Sequence, residues 1–224
     1  MELNNLTKKM FEKKLVEATA KFVEKEFEHG EGAHDWWHIY RVWQLARKIG
    51  SAEKADLLIV ELAALLHDLD DWKLGGDGTP VKARKWLKKI VVEKSVLEKV
   101  CSAISSVSFK GAGVKTIPST IEGKIVQDAD RLDALGAMGI ARVFAMGGSK
   151  GRLIWVPGQK PVLHSSFGKY SKSEGSSINH FYEKLLLLKE RINTPTAKRI
   201  AQKRHAFMEK YLKEFFIEWS GKDL

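Results

Sequence analysis

The sequence predicts an all-α protein, and three observations support that fold class. Apolar residues recur at helical spacing along nearly the whole chain, for example at Leu15, Ala18 and Phe22. The strict alternation of apolar and polar residues that is typical of strands is nearly absent. Glycine and proline punctuate the periodic stretches, at Gly50 and in "GGDGTP", residues 75–80.

Eight helices are predicted from this periodicity. They span Leu6 to Phe27, His38 to Gly50, Ala52 to Leu69, Val81 to Val92, Ser95 to Val107, Ser119 to Ala145, Ser176 to Arg191, and Thr194 to Trp219. Lys150 to Ser173 is the exception, because Gly, Pro, Ser and Lys predominate there. Its "RLIWVPG" stretch, residues 152–158, predicts either a short hairpin or an exposed loop.

Length and composition favour one domain. The chain has 224 residues, of which 44% are apolar, and this is enough for a sizeable core. No internal repeat or long linker is present, so we expect a single domain over residues 1–224. A single cysteine, Cys101, excludes an internal disulfide and favours a cytoplasmic location. Charges in the first 22 residues argue against a signal peptide, and no apolar run approaches the roughly 20 residues of a membrane span.

The formal net charge is +10, and most of it lies in the last third of the chain. Residues 149–224 contain 15 Lys and Arg against 7 Asp and Glu, whereas the preceding residues contain 23 against 21. Such an excess is typical either of solvated helix faces, as in "KERINTPTAKRIAQKRH", or of a surface that attracts a nucleotide or a nucleic acid. Charge alone does not choose between these interpretations.

The stretch "ELAALLHDLDDW", residues 61–72, combines a core-like helix with a polar end. The apolar run is followed within five positions by one imidazole and three carboxylates: His67, Asp68, Asp70 and Asp71. Unpaired charge beside a core is costly. Imidazole and carboxylate groups are ligands of transition metals, so these residues predict a metal site if other segments supply partners.

Two further segments supply such groups. His34 and His38 are four residues apart and therefore can lie on one helix face. A later segment has three carboxylates at the start of a mostly apolar helix, Asp128, Asp130 and Asp133. Asp128 could instead cap that helix. A cluster of two His and two Asp would suit Mn, Fe, Co, Ni or Zn and would leave coordination positions for water and substrate.

The order His, then His-Asp, then Asp on successive helices resembles the HD-domain superfamily of metal-dependent phosphohydrolases. The resemblance is carried by "HDWWHIYRVW", "LLHDLDDWK", "IVQDADRLDALGAMGIAR" and "HFYEKLLLLK". These stretches are similar to the bacterial HD hydrolases that include nucleotide pyrophosphohydrolases. The resemblance extends over residues 30–208, the family-like core of the chain, and implies a helical bundle.

The resemblance implies four metal ligands, which are His38, His67, Asp68 and Asp130. Asp128 and Asp133 are close enough in sequence to be alternatives to Asp130. Several HD enzymes also have an acidic residue three positions after the Asp of the doublet. That position is Asp71, which becomes the candidate for proton transfer, with a solvated loop residue as the alternative.

The resemblance also implies one metal ion. HD phosphodiesterases with two metals have further histidines between the doublet and the final Asp, yet no His occurs from Leu69 to Gln127. We therefore expect a single divalent cation, which could be Mn, Ni, Co, Fe or Zn. The analogy with cyclic nucleotide phosphodiesterases is correspondingly weakened.

The activity implied by the family is hydrolysis at phosphorus by a metal-activated water. Phosphoryl transfer depends on positioning and charge neutralisation, so cations should line the pocket. The residues predicted to contact the substrate are Lys110, Lys184, His34 and His180. Lys73 and Arg131 are further candidates, and each of these cations could instead be a surface residue or part of a structural ion pair.

The basic last third and the family resemblance together favour a nucleoside triphosphate, cleaved to a monophosphate and pyrophosphate. The alternatives are a phosphatase or phosphodiesterase for another small phosphorylated metabolite, and a nucleotide-binding protein without catalysis. A nucleic-acid partner is disfavoured, because the sequence contains no recognisable groove-reading or base-stacking motif. The sequence does not decide whether the protein forms oligomers.

Overall fold

The computed structural model describes residues 2–28, 35–71, 76–171 and 175–223. The α-helices are α1 (Glu2–Glu26), α2 (Trp36–Ala52), α3 (Leu57–Leu66), α4 (Val81–Lys89), α5 (Lys94–Ile104), α6 (Ile121–Asp133), α7 (Gly136–Ser149), α8 (Phe167–Ser171), α9 (Ser177–Glu183) and α10 (Pro195–Trp219). A 3₁₀ helix spans Leu185–Arg191. The described residues contain no strand, so the predicted all-α class is confirmed. None of the described helices is long and apolar enough to cross a membrane.

The contacts between helices divide the chain into two compact units. The first comprises Met1–Ser108 and Thr116–Ala129, and the second comprises Phe109–Lys115 and Asp130–Leu224. The boundary therefore falls inside α6, and the short Phe109–Lys115 segment belongs with the C-terminal residues. The single domain predicted over residues 1–224 stays a prediction.

The core of the first unit is built around α3. Its residues are apolar except for Glu61, and seven of its side chains are buried: Ile59, Val60, Leu62, Ala63, Ala64, Leu65 and Leu66. The helix packs against α1, α2 and α5, as expected of a helix that is apolar on nearly all sides. This packing fixes the backbone that follows, beginning with His67.

The α3 helix is shorter than the helix predicted from Ala52 to Leu69. It begins after Asp56, whose carboxylate accepts hydrogen bonds from the N–H groups of Leu58 and Ile59 at 3.1 and 3.4 Å. The chain leaves the helix in a series of turns over residues 67–70. The His67–Asp68 doublet therefore follows the helix instead of lying within it.

Asp70 caps a helix that begins eleven residues later in the chain. Its Oδ2 accepts from the backbone N–H groups of Lys82 and Ala83 in the first turn of α4, at 2.9 and 3.4 Å. Pro80, the residue before α4, provides no side-chain cap. Asp70 thus satisfies donors that would otherwise lack a partner at this helix start, and it ties the turn after α3 to α4.

Replacing Asp70 by alanine should lower the free energy of unfolding by about 1 kcal/mol, because it removes the acceptor of two helix N–H groups. Asp70→Asn keeps an acceptor oxygen and should lose less. Urea denaturation of both variants and the wild type would measure the difference. An alanine variant as stable as the wild type would contradict the capping role.

The second unit is organised by α10, which packs against α7 and the 3₁₀ helix. The side chains that α10 buries recur at helical spacing: Ala197, Ala201, His205, Met208 and Leu212. Phe181 of α9 is fully buried, with its ring centroid 6.2 Å from that of Phe144 and 6.0 Å from that of Tyr211. An apolar stripe of α10 and an aromatic cluster therefore form this core.

The single helix predicted from Ser119 to Ala145 is wrong, because α6 and α7 are separate. Leu135 has extended backbone, and Gly136 has a φ of 73°, in the left-handed region that favours glycine. A Cβ at position 136 would lie 3.0 Å from Cγ of Arg204. The break therefore needs a glycine both for its backbone conformation and for the close approach of α10.

The helix predicted from Ser176 to Arg191 also divides. Ser176 caps α9 by accepting from the N–H of Asn179, but the backbone of Lys184 leaves the helical region, with φ −141° and ψ −60°. The chain continues as the 3₁₀ helix, in which Leu185 and Leu188 are buried. Their spacing of three residues suits a helix with three residues per turn.

Residues 150–166 form a loop without a strand, so the loop is the correct one of the two predicted alternatives. The carbonyl groups of Leu153 and Ile154 accept from the N–H groups of Ser177 and Ile178, the first two residues of α9, at 3.0 and 2.9 Å. The Trp155 ring lies edge-on against two aromatic rings of α10, those of Phe216 and Trp219. The loop is thereby fixed to α9 and α10.

Candidate metal centre

Two histidines and one aspartate of the first unit form a buried cluster. His38 lies in the first turn of α2, and His67 and Asp68 directly follow α3. One ligand atom from each residue lies within 4.8 Å of the other two. Nε2 of His38 is 3.4 Å from Oδ2 of Asp68, and Nε2 of His67 is 3.3 Å from Oδ1 of the same carboxylate. None of the three is more than 5% exposed, so bulk water does little to stabilise the carboxylate charge.

The start of α2 positions His38. The Asp35 carboxylate accepts from the backbone N–H of His38 at 2.8 Å and so fixes the first turn of the helix. Ile39 and Val42 on the same helix are fully buried. Capping and packing together place the His38 ring edge-on to the His67 ring, with 5.5 Å between centroids.

A backbone hydrogen bond orients the His67 ring. Nδ1 lies 2.8 Å from the carbonyl oxygen of Ala64, one turn earlier in α3. Because a carbonyl can only accept, Nδ1 carries the proton of a neutral ring, and the lone pair is on Nε2. That lone pair faces the Asp68 carboxylate, which is also an acceptor. A cation between them would make this approach favourable.

The donor set fits a transition-metal ion. Two imidazole nitrogens and a carboxylate oxygen are ligands that Mn, Fe, Co, Ni and Zn accept. A divalent cation would also offset the cost of burying the Asp68 carboxylate. The described residues therefore contain a His/Asp cluster that could hold a metal ion.

Asp71 lies one turn after the cluster, and its N–H donates to the Asp68 carbonyl at 3.2 Å. It is 3% exposed, so it is not the solvated loop residue that the sequence also allowed. Its Oδ2 accepts a hydrogen bond from the Ser108 hydroxyl. Sequence reasoning missed Ser108, because no motif or periodicity links residues 37 positions apart.

The three aspartates of α6 have different surroundings. Asp133 is buried and forms an ion pair with Arg142 at 2.9 Å, so its charge is already neutralised by a protein side chain. Asp128 is fully buried and cannot cap the helix, because α6 begins at Ile121. Asp130 is half-buried and belongs to the second unit. Its role as a metal ligand stays a prediction.

Three of the residues predicted to contact the substrate lie in the second unit, namely Lys110, His180 and Lys184, and all three are half-buried. Nζ of Lys184 lies 5.4 Å from the centroid of the Phe109 ring, and the Lys184 N–H donates to the His180 carbonyl at 3.0 Å. The substrate roles of these residues stay predictions. His34 and Lys73 lie outside the described residues.

Two arginines of the second unit make contacts that sequence reasoning missed. Arg131 is 4% exposed and donates to the backbone carbonyl of Arg191, so its guanidinium has a structural partner. Arg191 is half-buried, although its charged surroundings in the sequence are typical of a solvated helix face. Its guanidinium donates to carbonyl groups of the Phe109–Lys115 segment. No sequence signal connects these positions, which are about eighty residues apart.

Comparison with known proteins identifies the family. A model of the HD domain matches residues 36–135. YpgQ of Bacillus subtilis (strain 168) is 40% identical over 218 residues, which are 96% of this chain and 98% of YpgQ. The chain belongs to the HD-domain superfamily. The resemblance predicted from the sequence is therefore confirmed, and the matched HD region includes His38, His67 and Asp68.

Solved structures extend the similarity of this HD-domain protein to almost its full length. A Lactobacillus plantarum protein has a TM-score of 0.81 at 34% identity, and the match covers 93% of this chain and 98% of that one. An HD-superfamily hydrolase from Bacillus thuringiensis has a TM-score of 0.73 at 40% identity, with coverage of 93% and 98%. The crystal structure of YpgQ in complex with ADP has a TM-score of 0.74 at 37% identity, with coverage of 96% and 97%.

Proposed function

We propose that this HD-domain protein is a metal-dependent phosphohydrolase that cleaves nucleoside triphosphates to a monophosphate and pyrophosphate. The observation that carries the proposal is the buried cluster of His38, His67 and Asp68, whose ligand atoms lie within 4.8 Å of one another. A buried carboxylate and the lone pair of an oriented imidazole would both bind a cation placed between them. Metal binding offers a reason for keeping this arrangement in a core.

The relatives support the reaction class and the kind of ligand. The similar protein from Bacillus thuringiensis is an HD-superfamily hydrolase, and YpgQ has been crystallised with ADP. ADP contains a phosphoanhydride between two phosphates, the type of bond that a pyrophosphohydrolase cleaves. A nucleoside phosphate is therefore the substrate class that the comparisons favour.

The proposed roles follow from the chemistry of each group. A bound divalent cation would supply a water of lowered pKa and positive charge for the phosphates. His38, His67 and Asp68 would hold the ion, and Asp130 would add a fourth ligand, as the family resemblance implies. Asp71, held by the Ser108 hydroxyl, would accept or give the proton that moves during hydrolysis.

Cationic and imidazole groups would bind the phosphates. Lys110, Lys184, His180 and His34 are the proposed contacts, because phosphoryl transfer relies on neutralising charge and aligning the reacting oxygens. The excess of 15 Lys and Arg over 7 Asp and Glu after residue 148 would favour the approach of a polyanion.

Product analysis in ¹⁸O-labelled water tests the proposal. Wild-type protein loaded with Mn would be incubated with a panel of nucleoside triphosphates, and the products would be identified by mass spectrometry. We expect monophosphate and pyrophosphate, with the label in only one of them, which identifies the phosphorus that water attacks. Chelator-treated protein, inactive until metal is restored, is the control.

Other product patterns would replace the proposal with a specific alternative. Diphosphate and inorganic phosphate would indicate cleavage at the terminal phosphate. Turnover of another phosphorylated metabolite with intact nucleotides would indicate a different phosphatase or phosphodiesterase. Tight nucleotide binding without turnover across Mn, Co and Ni would indicate a binding protein.

A further inference from the structure

We propose that Arg191 is a positioning residue for phosphate binding, which holds the Phe109–Lys115 segment so that Lys110 and Lys184 meet the substrate together. The proposal rests on the proposed function, because that function assigns the two lysines to the phosphates. The evidence lies entirely within the second unit.

The Phe109–Lys115 segment has no helix or strand of its own. The Val114 N–H donates to the Gly111 carbonyl at 3.2 Å, and the Gly113 N–H donates to the His164 carbonyl at 3.0 Å. Arg191 adds donors for three carbonyl groups of the segment. Its Nη1 donates to the carbonyls of Gly111 and Val114, at 3.2 Å each, and its Nη2 donates to the carbonyl of Ala112. One planar guanidinium thus bonds to three carbonyl groups within four residues. Because the donor is charged, these hydrogen bonds are stronger than those between neutral groups.

The Arg191 backbone is itself fixed. It is the last residue of the 3₁₀ helix, and its carbonyl accepts from the buried Arg131 guanidinium. Burial lowers the pKa of the Arg191 guanidinium from its usual value, which reflects the loss of water around the charge. A lysine at this position would keep a positive charge but could not reproduce the flat, branched donor geometry.

The Phe109 ring lies against Arg191 and Lys184, and Phe109 directly precedes Lys110 in the chain. Cζ of Arg191 lies 5.0 Å from the ring centroid, and Nζ of Lys184 lies 5.4 Å from it. The ring is 3% exposed and also packs edge-on against Tyr170, at 5.3 Å. Because Lys110 is the next residue in the chain, an arrangement that fixes Phe109 also restricts the position of Lys110.

The charge of Arg191 remains available to an anion. Among the described residues, no carboxylate forms an ion pair with it within 4 Å, and the guanidinium contacts carbonyl groups and the Phe109 ring. A partly desolvated cation without a countercharge creates a positive potential around it. Phosphate groups bound by Lys110 and Lys184 would be stabilised by this potential.

Arg191→Lys tests the inference, because it keeps the charge and removes the branched donor. The ligand is ADP, and its Kd would be measured by calorimetry with Mn-loaded protein. We expect the Kd for ADP, and the KM for a hydrolysed triphosphate, to rise on the order of tenfold to 10²-fold. Metal content should stay at the wild-type level, and kcat should change by less than about threefold, because the metal ligands of the first unit are untouched.

Arg204→Lys is the matched control. Arg204 is also a desolvated arginine of the second unit whose guanidinium donates to a backbone carbonyl, that of Leu132. Within the described part of the chain, no hydrogen bond, ion pair or ring contact joins Arg204 to the Phe109–Lys115 segment. We expect the Arg204→Lys variant to bind ADP with the same Kd as the wild type.

A double-mutant cycle separates positioning from a general loss of order. If Arg191 acts through Lys110 and Lys184, then Arg191→Lys should weaken ADP binding in the wild type but add little when both lysines are already replaced by alanine. Phe109→Leu provides a second route if Arg191→Lys does not fold, since it keeps an apolar side chain and removes the ring on which the cations lie. That variant should also raise the Kd for ADP.

The outcomes distinguish this inference from the proposed function. Wild-type protein that binds ADP but hydrolyses no triphosphate contradicts the function, while the Kd comparison still tests Arg191. Wild-type affinity in Arg191→Lys, or fully additive effects in the background that lacks both Lys110 and Lys184, overturns the inference even if hydrolysis is confirmed. Equal weakening in Arg204→Lys would also overturn it, because any buried arginine would then have the same effect.

Discussion

Replacing Asp68 by asparagine should remove both the bound metal and the activity, lowering kcat/KM by about 10³-fold or more. Asp68 is the only carboxylate of the described three-residue cluster, and its two oxygens face the Nε2 atoms of His38 and His67 at 3.4 and 3.3 Å. Asparagine has nearly the same shape but lacks the charge. The two imidazoles alone would hold a divalent cation much less tightly.

Metal content and unfolding provide readouts that do not depend on the substrate. After dialysis with Mn and removal of free ion, wild-type protein should retain metal and the variant should not. Metal at a hundred times its Kd should stabilise the wild type by about 2.7 kcal/mol. The unfolding midpoint of Asp68→Asn should be insensitive to the same addition.

Asp70→Asn is the matched control for this prediction. Asp70 lies two residues after Asp68, but its carboxylate caps α4 instead of joining the cluster. The Asp70→Asn variant should therefore bind metal and turn over substrate as the wild type does. Stoichiometric metal in Asp68→Asn, or loss of metal in Asp70→Asn, would show that the cluster is not the binding site.

The parts of the fold that the sequence predicted are those set by local patterns. The apolar run of α3 predicts that this helix is buried, even when the helices around it are not known. It also places His67 and Asp68 at the edge of a core. The family follows from the order of short motifs, each of which can be recognised in the sequence without knowledge of its neighbours in the fold. For these features the necessary information lies within about ten successive residues.

The helix breaks could not be predicted in this way. Residues 134–141 are small or apolar, so their periodicity continues through the break between α6 and α7. The break becomes visible only from the positive φ of Gly136 and the approach of Arg204 from α10. The close approach involves a residue far along the chain, so helix propensity within residues 134–141 does not predict the break.

The partners of the buried polar groups could not be predicted from the sequence either. In sequence, Asp68, Asp70 and Asp71 are three similar carboxylates within four positions. In the structure, Asp68 faces two imidazoles, Asp70 caps α4, and Asp71 accepts from Ser108. Composition shows that such charges need partners, but only the fold assigns a different partner to each.

Replacing Asp71 by asparagine should lower kcat by about 10²- to 10⁴-fold, the usual contribution of a general acid or base. Asp71 is 3% exposed, and its N–H bonds to the Asp68 carbonyl, so it is held one turn from the proposed metal ligands. The amide of asparagine can still accept from Ser108 but cannot take up a proton. Metal content and the Kd for ADP should stay within about twofold of the wild type, because the group acts on the chemical step.

Variants of Ser108 separate proton transfer from simple packing at this site. Ser108→Ala removes the hydroxyl that donates to the Asp71 carboxylate, and it should lower kcat by about 10- to 10²-fold, as expected when a supporting hydrogen bond is lost. Ser108→Thr keeps the hydroxyl and should restore most of the rate, whereas a purely steric role would make the larger side chain at least as damaging as alanine. If Asp71→Asn turns over at the wild-type rate, Asp71 is a buried structural carboxylate, and the proton must be transferred by another group or directly by solvent.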